Sequence, residues 1–185
     1  MLKLNSHGGL YMFDRFVPDK YFKSIYDIDY KALKKSGVKC LIFNVSNTLV
    51  SENVMTPTNK VKDLFEDLRD MGFRCIIISN ESKKRVTPFK ELLCVDSAYH
   101  AMKPFKFKIK KAMKMYQCKH YEIALIGSSM FFDIYAANRA NITSIYVNPI
   151  SDDKLAVTRT TRKIENLIFN HLEKKDLFKK GRYYE

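Results

Sequence analysis

Five short strand-like segments, separated by stretches with helical spacing, constrain the fold of this chain more than any other feature. The segments cover residues 38–43, 73–78, 97–100, 121–126 and 143–147, and most are continuous apolar runs. Apolar residues recur at helical spacing in the intervening stretches, which cover 58–71, 82–93, 104–116 and 130–140. Successive strands lie about 20–35 residues apart, which is typical of an α/β protein with a doubly wound parallel sheet.

The length and the ends of the chain predict a single domain with short extensions. Its 185 residues suit one core. We expect a loose extension at 1–12, the domain at 13–172 and a basic tail at 173–185. Within the domain, 16–35 predicts short helical turns and 164–172 predicts a closing amphipathic helix. The extension lacks the apolar core of a signal peptide, and no apolar run approaches the ~18 residues of a membrane span.

The charge balance favours anionic partners. The chain has 33 Lys and Arg against 20 Asp and Glu, a formal net charge of +13. This excess suits RNA, a ribosomal particle or an acidic membrane surface. A second explanation is compositional, because abundant Lys, Asn, Ile, Tyr and Phe with only 6 Gly and no Trp is the usage that an AT-rich genome produces. A protein partner is a further candidate.

The four cysteines indicate free thiols. They are spaced 35, 19 and 24 residues apart and form no C-x-x-C pair, which argues against a zinc site or a disulfide framework. Free thiols are typical of a reducing compartment. We therefore expect a cytoplasmic protein, either free or peripheral to a membrane or ribosome.

Polar residues follow four of the predicted strands, at the edge where parallel sheets bind ligands. The first strand runs into the turn of "LIFNVSNTLV" at 41–50, which contains amides and hydroxyls but no charge. The later strand ends carry Ser79-Asn80, Met102-Lys103-Pro104 and Gly127-Ser128-Ser129.

These strand ends resemble the four motifs of the haloacid dehalogenase (HAD) phosphatases. The similarity is greatest to the YqeG-like class IIIA group, which is related to the phosphatidylglycerophosphate phosphatases. It spans about residues 13–185 and rests on "RFVPD", "SNTLV", "IISNESKKRV", "MKPFKF", "GSSMFFDIYAANRA" and the terminal "KGRYYE". The resemblance implies a HAD-like (Rossmannoid) three-layer α/β/α domain. Only 31 positions separate Thr48 from Ser79 and 24 separate Ser79 from Lys103, so we expect no cap domain and an open strand-end face.

The resemblance also assigns roles to individual positions. In these enzymes the first motif is D-x-D-x-T, in which the first Asp attacks phosphorus and the second acts as acid and base. Asn44 and Ser46 occupy those positions here. The fourth motif supplies metal-binding carboxylates, and its positions are Ser128 and Asp133, of which only the second keeps a carboxylate. The phosphate-binding positions are matched by Thr48, Ser79, Asn80 and Lys103.

The loss of three carboxylates predicts an inactive pseudophosphatase. The neutral Asn44 amide cannot form an acyl phosphate, and the Ser46 hydroxyl has no pKa near the working range. Magnesium typically uses one or two carboxylates, so with Asp133 as a weak candidate ligand we expect no cofactor. Neutral replacements also remove mutual repulsion, which predicts a net positive pocket that can hold an anion.

Two other functions stay open from the sequence. One is an active phosphatase that uses Mg²⁺ and hydrolyses a phosphomonoester such as phosphatidylglycerophosphate. The other is a structural subunit in which the old pocket has no role.

A lysine-rich stretch supplies the candidate contact surface. Residues 103–119 hold seven lysines and no acid, and a second basic group follows the second motif. We expect contacts with the phosphates of RNA or of an anionic bilayer from Lys83, Lys84, Arg85, Lys106, Lys110 and Lys114. The alternative is an ordinary solvated face. Phe105 and Phe107 are expected to be packing residues, and a stacking platform for bases is the alternative.

Overall fold

The computed structural model describes residues 12–151 and 159–185. The predicted extension at 1–12 therefore lies outside the described residues, except for Met12. No helix in the described part of the chain is both long enough and apolar enough to span a bilayer.

Six parallel strands form one sheet. They are β1 (Lys20–Phe22), β2 (Cys40–Phe43), β3 (Arg74–Ile78), β4 (Asp96–Ala98), β5 (Ile123–Gly127) and β6 (Thr143–Val147). Their order is β1-β6-β5-β2-β3-β4, and every neighbouring pair is parallel. The motif-bearing strands β2, β3 and β5 are thus adjacent, with β2 in the middle. The predicted α/β fold with a doubly wound parallel sheet is confirmed.

Six α-helices of the described residues flank the sheet. They are α1 (Tyr30–Lys35), α2 (Asn59–Asp70), α3 (Lys83–Leu92), α4 (Phe107–Met115), α5 (Tyr135–Ala140) and α6 (Arg159–Lys174). Side chains cap several starts, since Asp29, Thr58 and Ser82 each accept a hydrogen bond from a first-turn N–H. The segment Met130–Ile134, expected as plain α-helix, is a π-helical turn before α5.

The sheet separates two apolar layers. Leu41 and Phe43 of β2 face a cluster that includes residues of α1, α2 and α3. Cys40 and Ile42, the alternate residues, face a second cluster built with α4 and α5. All four residues are buried because β2 is covered on both faces, as a central parallel strand requires. The three-layer α/β/α arrangement follows from this.

Strand β1 corrects the prediction for residues 16–35, which were expected to form helical turns. Tyr21 pairs with Tyr146 of β6, and Asp19 fixes the start of the strand by accepting a hydrogen bond from the N–H of Ser144. On its other edge, Tyr21 exchanges two backbone hydrogen bonds with Tyr184, at 2.7 and 3.0 Å. A strand of three residues carries no periodicity that sequence analysis can detect.

The C-terminal segment 173–185 packs along β1. Phe178 is buried with 3% of its surface exposed, and its ring lies 4.8 Å from that of Tyr21. The N–H of Gly181 donates to the Tyr21 hydroxyl. The last residues of the chain therefore cover the outer edge of the sheet.

The Phe178→Ala variant should lose about 3–5 kcal/mol of unfolding free energy, because it leaves a cavity in a buried aromatic cluster. Urea denaturation followed by circular dichroism would measure the loss. Leu167→Ala is the matched control, since Leu167 is 66% exposed. An equal effect of the two substitutions would show that the C-terminal segment does not pack as described.

Candidate functional site

The carboxyl ends of β2, β3 and β5 border a cavity of about 450 Å³. The structure brings seven of the motif residues predicted from the sequence to its lining, and these are Asn44, Ser46, Ser79, Asn80, Lys103, Ser128 and Asp133. Thr48 lies just behind this lining and is buried, with its hydroxyl 3.1 Å from that of Ser128.

Lys103 is the centre of the site. Its ammonium lies 2.6 Å from Oδ1 of Asp133 and donates to Oδ1 of Asn44 at 3.0 Å. The Lys103 side chain is 2% exposed and the Asp133 side chain is not exposed. The one cation in this cluster is therefore already paired, and the oxygen at the nucleophile position accepts one of its hydrogen bonds.

Asp133 is held from its other side by the backbone. Its Oδ2 accepts hydrogen bonds from the N–H groups of Ser128 and Ser129, each at 3.1 Å. A Cβ at Gly127 would lie 2.3 Å from the Asp133 carboxyl carbon, so the carboxylate packs directly against β5. This explains the glycine at the strand end.

Asn80 positions Lys103 instead of projecting freely into the cavity. Its Oδ1 accepts from the Lys103 N–H at 2.7 Å, and its Nδ2 donates to the Lys103 carbonyl at 3.0 Å. The buried Ser79 hydroxyl accepts from the N–H of Glu81 at 3.3 Å. Ser79 and Asn80, two of the four residues predicted to bind phosphate, thus make contacts that order the loops around Lys103.

Glu81 is a residue of the site that sequence analysis missed. The Ser46 hydroxyl donates to Oε1 of Glu81 at 2.8 Å, so a carboxylate from the next strand end approaches the acid/base position. The Asn44 amide donates to the Ser46 carbonyl at 3.1 Å. The only signal in the sequence was the place of Glu81 directly after Ser79-Asn80.

The sequence led us to expect a net positive pocket, and the side chains that line the cavity do not support this expectation. Within the described residues, four acidic and three basic side chains line the cavity, and they are Glu52, Glu81, Asp133, Glu165, Lys103, Arg162 and Lys180. Burial raises the pKa of Glu165, although hydrogen bonds from Ser129, Phe131 and Met130 act in the opposite direction. Acids from other segments of the chain thus bring negative charge to the cavity.

Helix α6 forms one wall of the cavity, so the strand-end face is less open than expected. Glu165 accepts hydrogen bonds from the Ser129 hydroxyl and from the N–H groups of Met130 and Phe131, which ties α6 to the π-helical turn. No cap domain is inserted between the motif-bearing strands, all of which lie in the described region.

The residues present do not fit Mg²⁺. Both oxygens of Asp133 are already used by Lys103 and by two backbone N–H groups, and the oxygen of Asn44 accepts from the same ammonium. Hard cations such as Mg²⁺ need several free oxygen ligands in near-octahedral geometry. Over residues 12–151 and 159–185, no group of three or more His, Cys, Asp or Glu side chains could hold a metal ion. The weak metal role predicted for Asp133 is not favoured by its contacts.

Most side chains of the predicted contact surface are exposed, but Arg85 is not. Arg85 is buried, because its guanidinium donates to the backbone carbonyls of Val54 and Ser51. Lys106 is half-buried and donates to the Arg139 carbonyl. The remaining candidates are exposed, and they are Lys83, Lys84, Lys110 and Lys114.

The prediction that Phe105 and Phe107 are packing residues is also corrected at this surface, because neither side chain packs into the core. Phe105 is 51% exposed and Phe107 is 65% exposed. Helix α4 begins at Phe107, so Phe105 lies in the preceding turn instead of on the apolar helix face predicted for it.

A parallel sheet with this order, the four strand-end motifs and the buried lysine define a HAD-like domain, and the chain belongs to the haloacid dehalogenase-like hydrolase family, whose model matches residues 15–147. It is 30% identical over 160 residues to the protein named Probable phosphatase YqeG of Bacillus subtilis strain 168. The aligned region covers 86% of this chain and 93% of that protein. The family and the YqeG similarity predicted from the motifs are confirmed.

A solved structure supports the same fold. The crystal structure of an uncharacterized protein from Listeria monocytogenes serotype 4b aligns with a TM-score of 0.51 and 15% identity, over 74% of this chain and 99% of that one. At this identity the likeness concerns the fold alone.

Lys103→Met should destabilise the protein by about 3–5 kcal/mol, because it leaves the buried Asp133 carboxylate without its cation. Urea denaturation would measure the change, with the exposed Lys110→Met as the matched control. Adding Asp133→Asn to Lys103→Met should recover part of the loss, as expected for a directly coupled pair. Additive effects of the two substitutions would contradict the pairing.

Proposed function

We propose that this chain is a noncatalytic member of the HAD-like family that acts by binding RNA or a ribosomal particle in the cytoplasm. The observation that carries the first half of the proposal is the contact between the Lys103 ammonium, the Asn44 amide oxygen and Asp133. The exposed lysines carry the second half.

The chemistry of the cavity argues against phosphoryl transfer through the chain itself. A covalent route needs an anionic oxygen that can attack phosphorus, and the Asn44 amide supplies none. Its oxygen accepts a hydrogen bond from Lys103, so that ammonium is directed at a neutral acceptor and at Asp133. The groups that would stabilise charge in a transition state are instead satisfied by one another.

Glu81 is the strongest argument for the competing phosphatase, since its carboxylate lies beside Ser46 at the acid/base position. The relative named Probable phosphatase YqeG points the same way. A general acid alone contributes about 10²–10⁴-fold to a rate, however, and it cannot replace the nucleophile. We therefore favour the noncatalytic function.

The exposed surface supports binding of a polyanion. Lys83 and Lys84 begin α3, and Lys110 and Lys114 lie one turn apart on α4. Residues 103–119 contain no acidic residue, so nothing within this stretch offsets its positive charge. Lysines that neutralise nucleic-acid phosphates release condensed counterions, which is the main source of sequence-independent affinity.

The purified chain should not hydrolyse p-nitrophenyl phosphate or phosphatidylglycerophosphate in the presence of Mg²⁺, because loss of the nucleophile costs about 10⁴-fold or more in rate. Phosphate release would be measured beside the Asn44→Ala variant, which identifies contaminating activity. Steady Mg²⁺-dependent turnover that disappears in Asn44→Ala would contradict the noncatalytic proposal and favour the phosphatase.

The triple variant Asn44→Asp, Ser46→Asp and Ser128→Asp is the complementary experiment. It returns carboxylates to the three replaced positions and should introduce Mg²⁺-dependent hydrolysis, since the loops and Lys103 remain in place. A gain of activity in this variant alone would locate the defect in those positions.

Binding to RNA should weaken steeply as salt is raised. The double variant Lys110→Gln, Lys114→Gln should reduce the slope of the log binding constant against log salt concentration by about 1–2. Fluorescence anisotropy of a labelled RNA over a salt series would measure the slope. Lys31→Gln with Lys35→Gln is the matched control, because these lysines are also exposed and four residues apart on α1. Absence of RNA binding, or equal slopes for the two double variants, would contradict the proposed surface.

A further inference from the structure

We propose that Phe105 and Phe107 form a stacking platform for the bases of single-stranded RNA, beside the lysines of α4. This inference deepens the proposed function and rests on it. It adds what charge alone cannot supply, which is a preference for unpaired bases over a duplex or a bilayer.

The two rings stack on each other at an exposed position. Their centroids are 6.0 Å apart and their planes differ by 25°. More than half of each side chain remains accessible, which is unusual for two neighbouring phenylalanines, because burying such rings is favourable. The pair is therefore a preformed planar surface in contact with solvent.

Arg139 contacts the Phe105 ring and links it to Tyr135 of α5. Its guanidinium carbon lies 5.9 Å from the centre of the Phe105 ring and 5.5 Å from that of Tyr135. The Arg139 guanidinium also donates to the Pro104 carbonyl, and the Lys106 ammonium donates to the Arg139 carbonyl. These contacts connect Tyr135 and Arg139 to Phe105, whose ring stacks on that of the exposed Phe107.

Exposed lysines lie beside the Phe107 ring. Lys110 and Lys111 lie three and four residues after Phe107, so they share its side of α4, and both are exposed. A base stacked on the ring would place its phosphates near these ammonium groups. Aromatic faces combined with a basic track are the usual means of binding single strands without reading their sequence.

The arrangement favours RNA bases over an anionic bilayer. A loop that inserts into a membrane needs apolar bulk and gains nothing from the stacking of two rings. Stacking on a base, in contrast, needs a flat aromatic face. Double-stranded RNA keeps its bases paired and stacked internally, so it cannot use the platform.

The decisive experiment compares the wild-type chain with Phe105→Leu and Phe107→Leu combined, which keeps apolar bulk but removes the planar faces. Binding to fluorescein-labelled oligouridine should weaken about 10-fold or more in the variant. Binding to an abasic oligonucleotide of equal length and charge should be weak for both proteins and unaffected by the substitutions. Tyr26→Leu is the matched control, because Tyr26 is an exposed aromatic residue with the Lys60 ammonium 3.9 Å from its ring centre.

The outcomes distinguish a failure of the stacking inference from a failure of the proposed function. Salt-dependent binding of oligouridine that is equal in wild type and double variant, or equal to the abasic chain, would overturn stacking and leave RNA binding intact. Tighter binding to duplex RNA of the same length, or to phosphatidylglycerol vesicles, would also overturn it. No binding to any RNA would remove both. Thermal unfolding monitored by circular dichroism should show the double variant as stable as wild type, since both rings are exposed.

Discussion

The buried ion pair between Lys103 and Asp133 is the interaction on which the strand-end site depends. It joins the end of the β4 region to the turn after β5, and the Asn44 amide at the end of β2 completes it. Neither charge could remain buried without the other, because desolvation of an unpaired ion costs several kcal/mol. The Asn80 side chain and two backbone N–H groups then hold the two partners in place. The same contacts that stabilise the site use the oxygens that a metal would need.

The site therefore keeps the strand-end architecture of the HAD-like family with a different set of polar groups. Hydroxyls and an amide occupy three positions where the resemblance implies carboxylates, and the hydroxyl of one of them, Ser128, lies 3.1 Å from that of Thr48. Acids from other segments, Glu81 and Glu165, restore negative charge near the cavity. Lys103 is paired with Asp133 inside the site, whereas Lys83, Lys84, Lys110 and Lys114 are exposed on the outside. This division is the basis of the proposed surface-binding function.

Much of the fold could be predicted from the sequence. Strand β6 has the predicted bounds, and the predicted ends of β2, β3 and α2 differ from the observed ones by at most two residues. These elements have strong apolar periodicity or continuous apolar runs, which local spacing reveals. Strand β1 could not be predicted, because its three residues are held by partners more than a hundred positions away, at Ser144 and Tyr184.

For the site, the sequence alone determined which side chains meet at the strand ends, since parallel strands bring their carboxyl ends to one edge whatever the loops do. It also places an amide, Asn44, at the position where the resemblance implies an attacking carboxylate. Only the tertiary structure decided the electrostatic result: that Lys103 is neutralised by Asp133, that Glu81 approaches Ser46, and that Arg85 is buried while Phe107 is exposed. Pairing and burial depend on distances between segments that are remote in the chain, and the order of residues does not encode those distances locally.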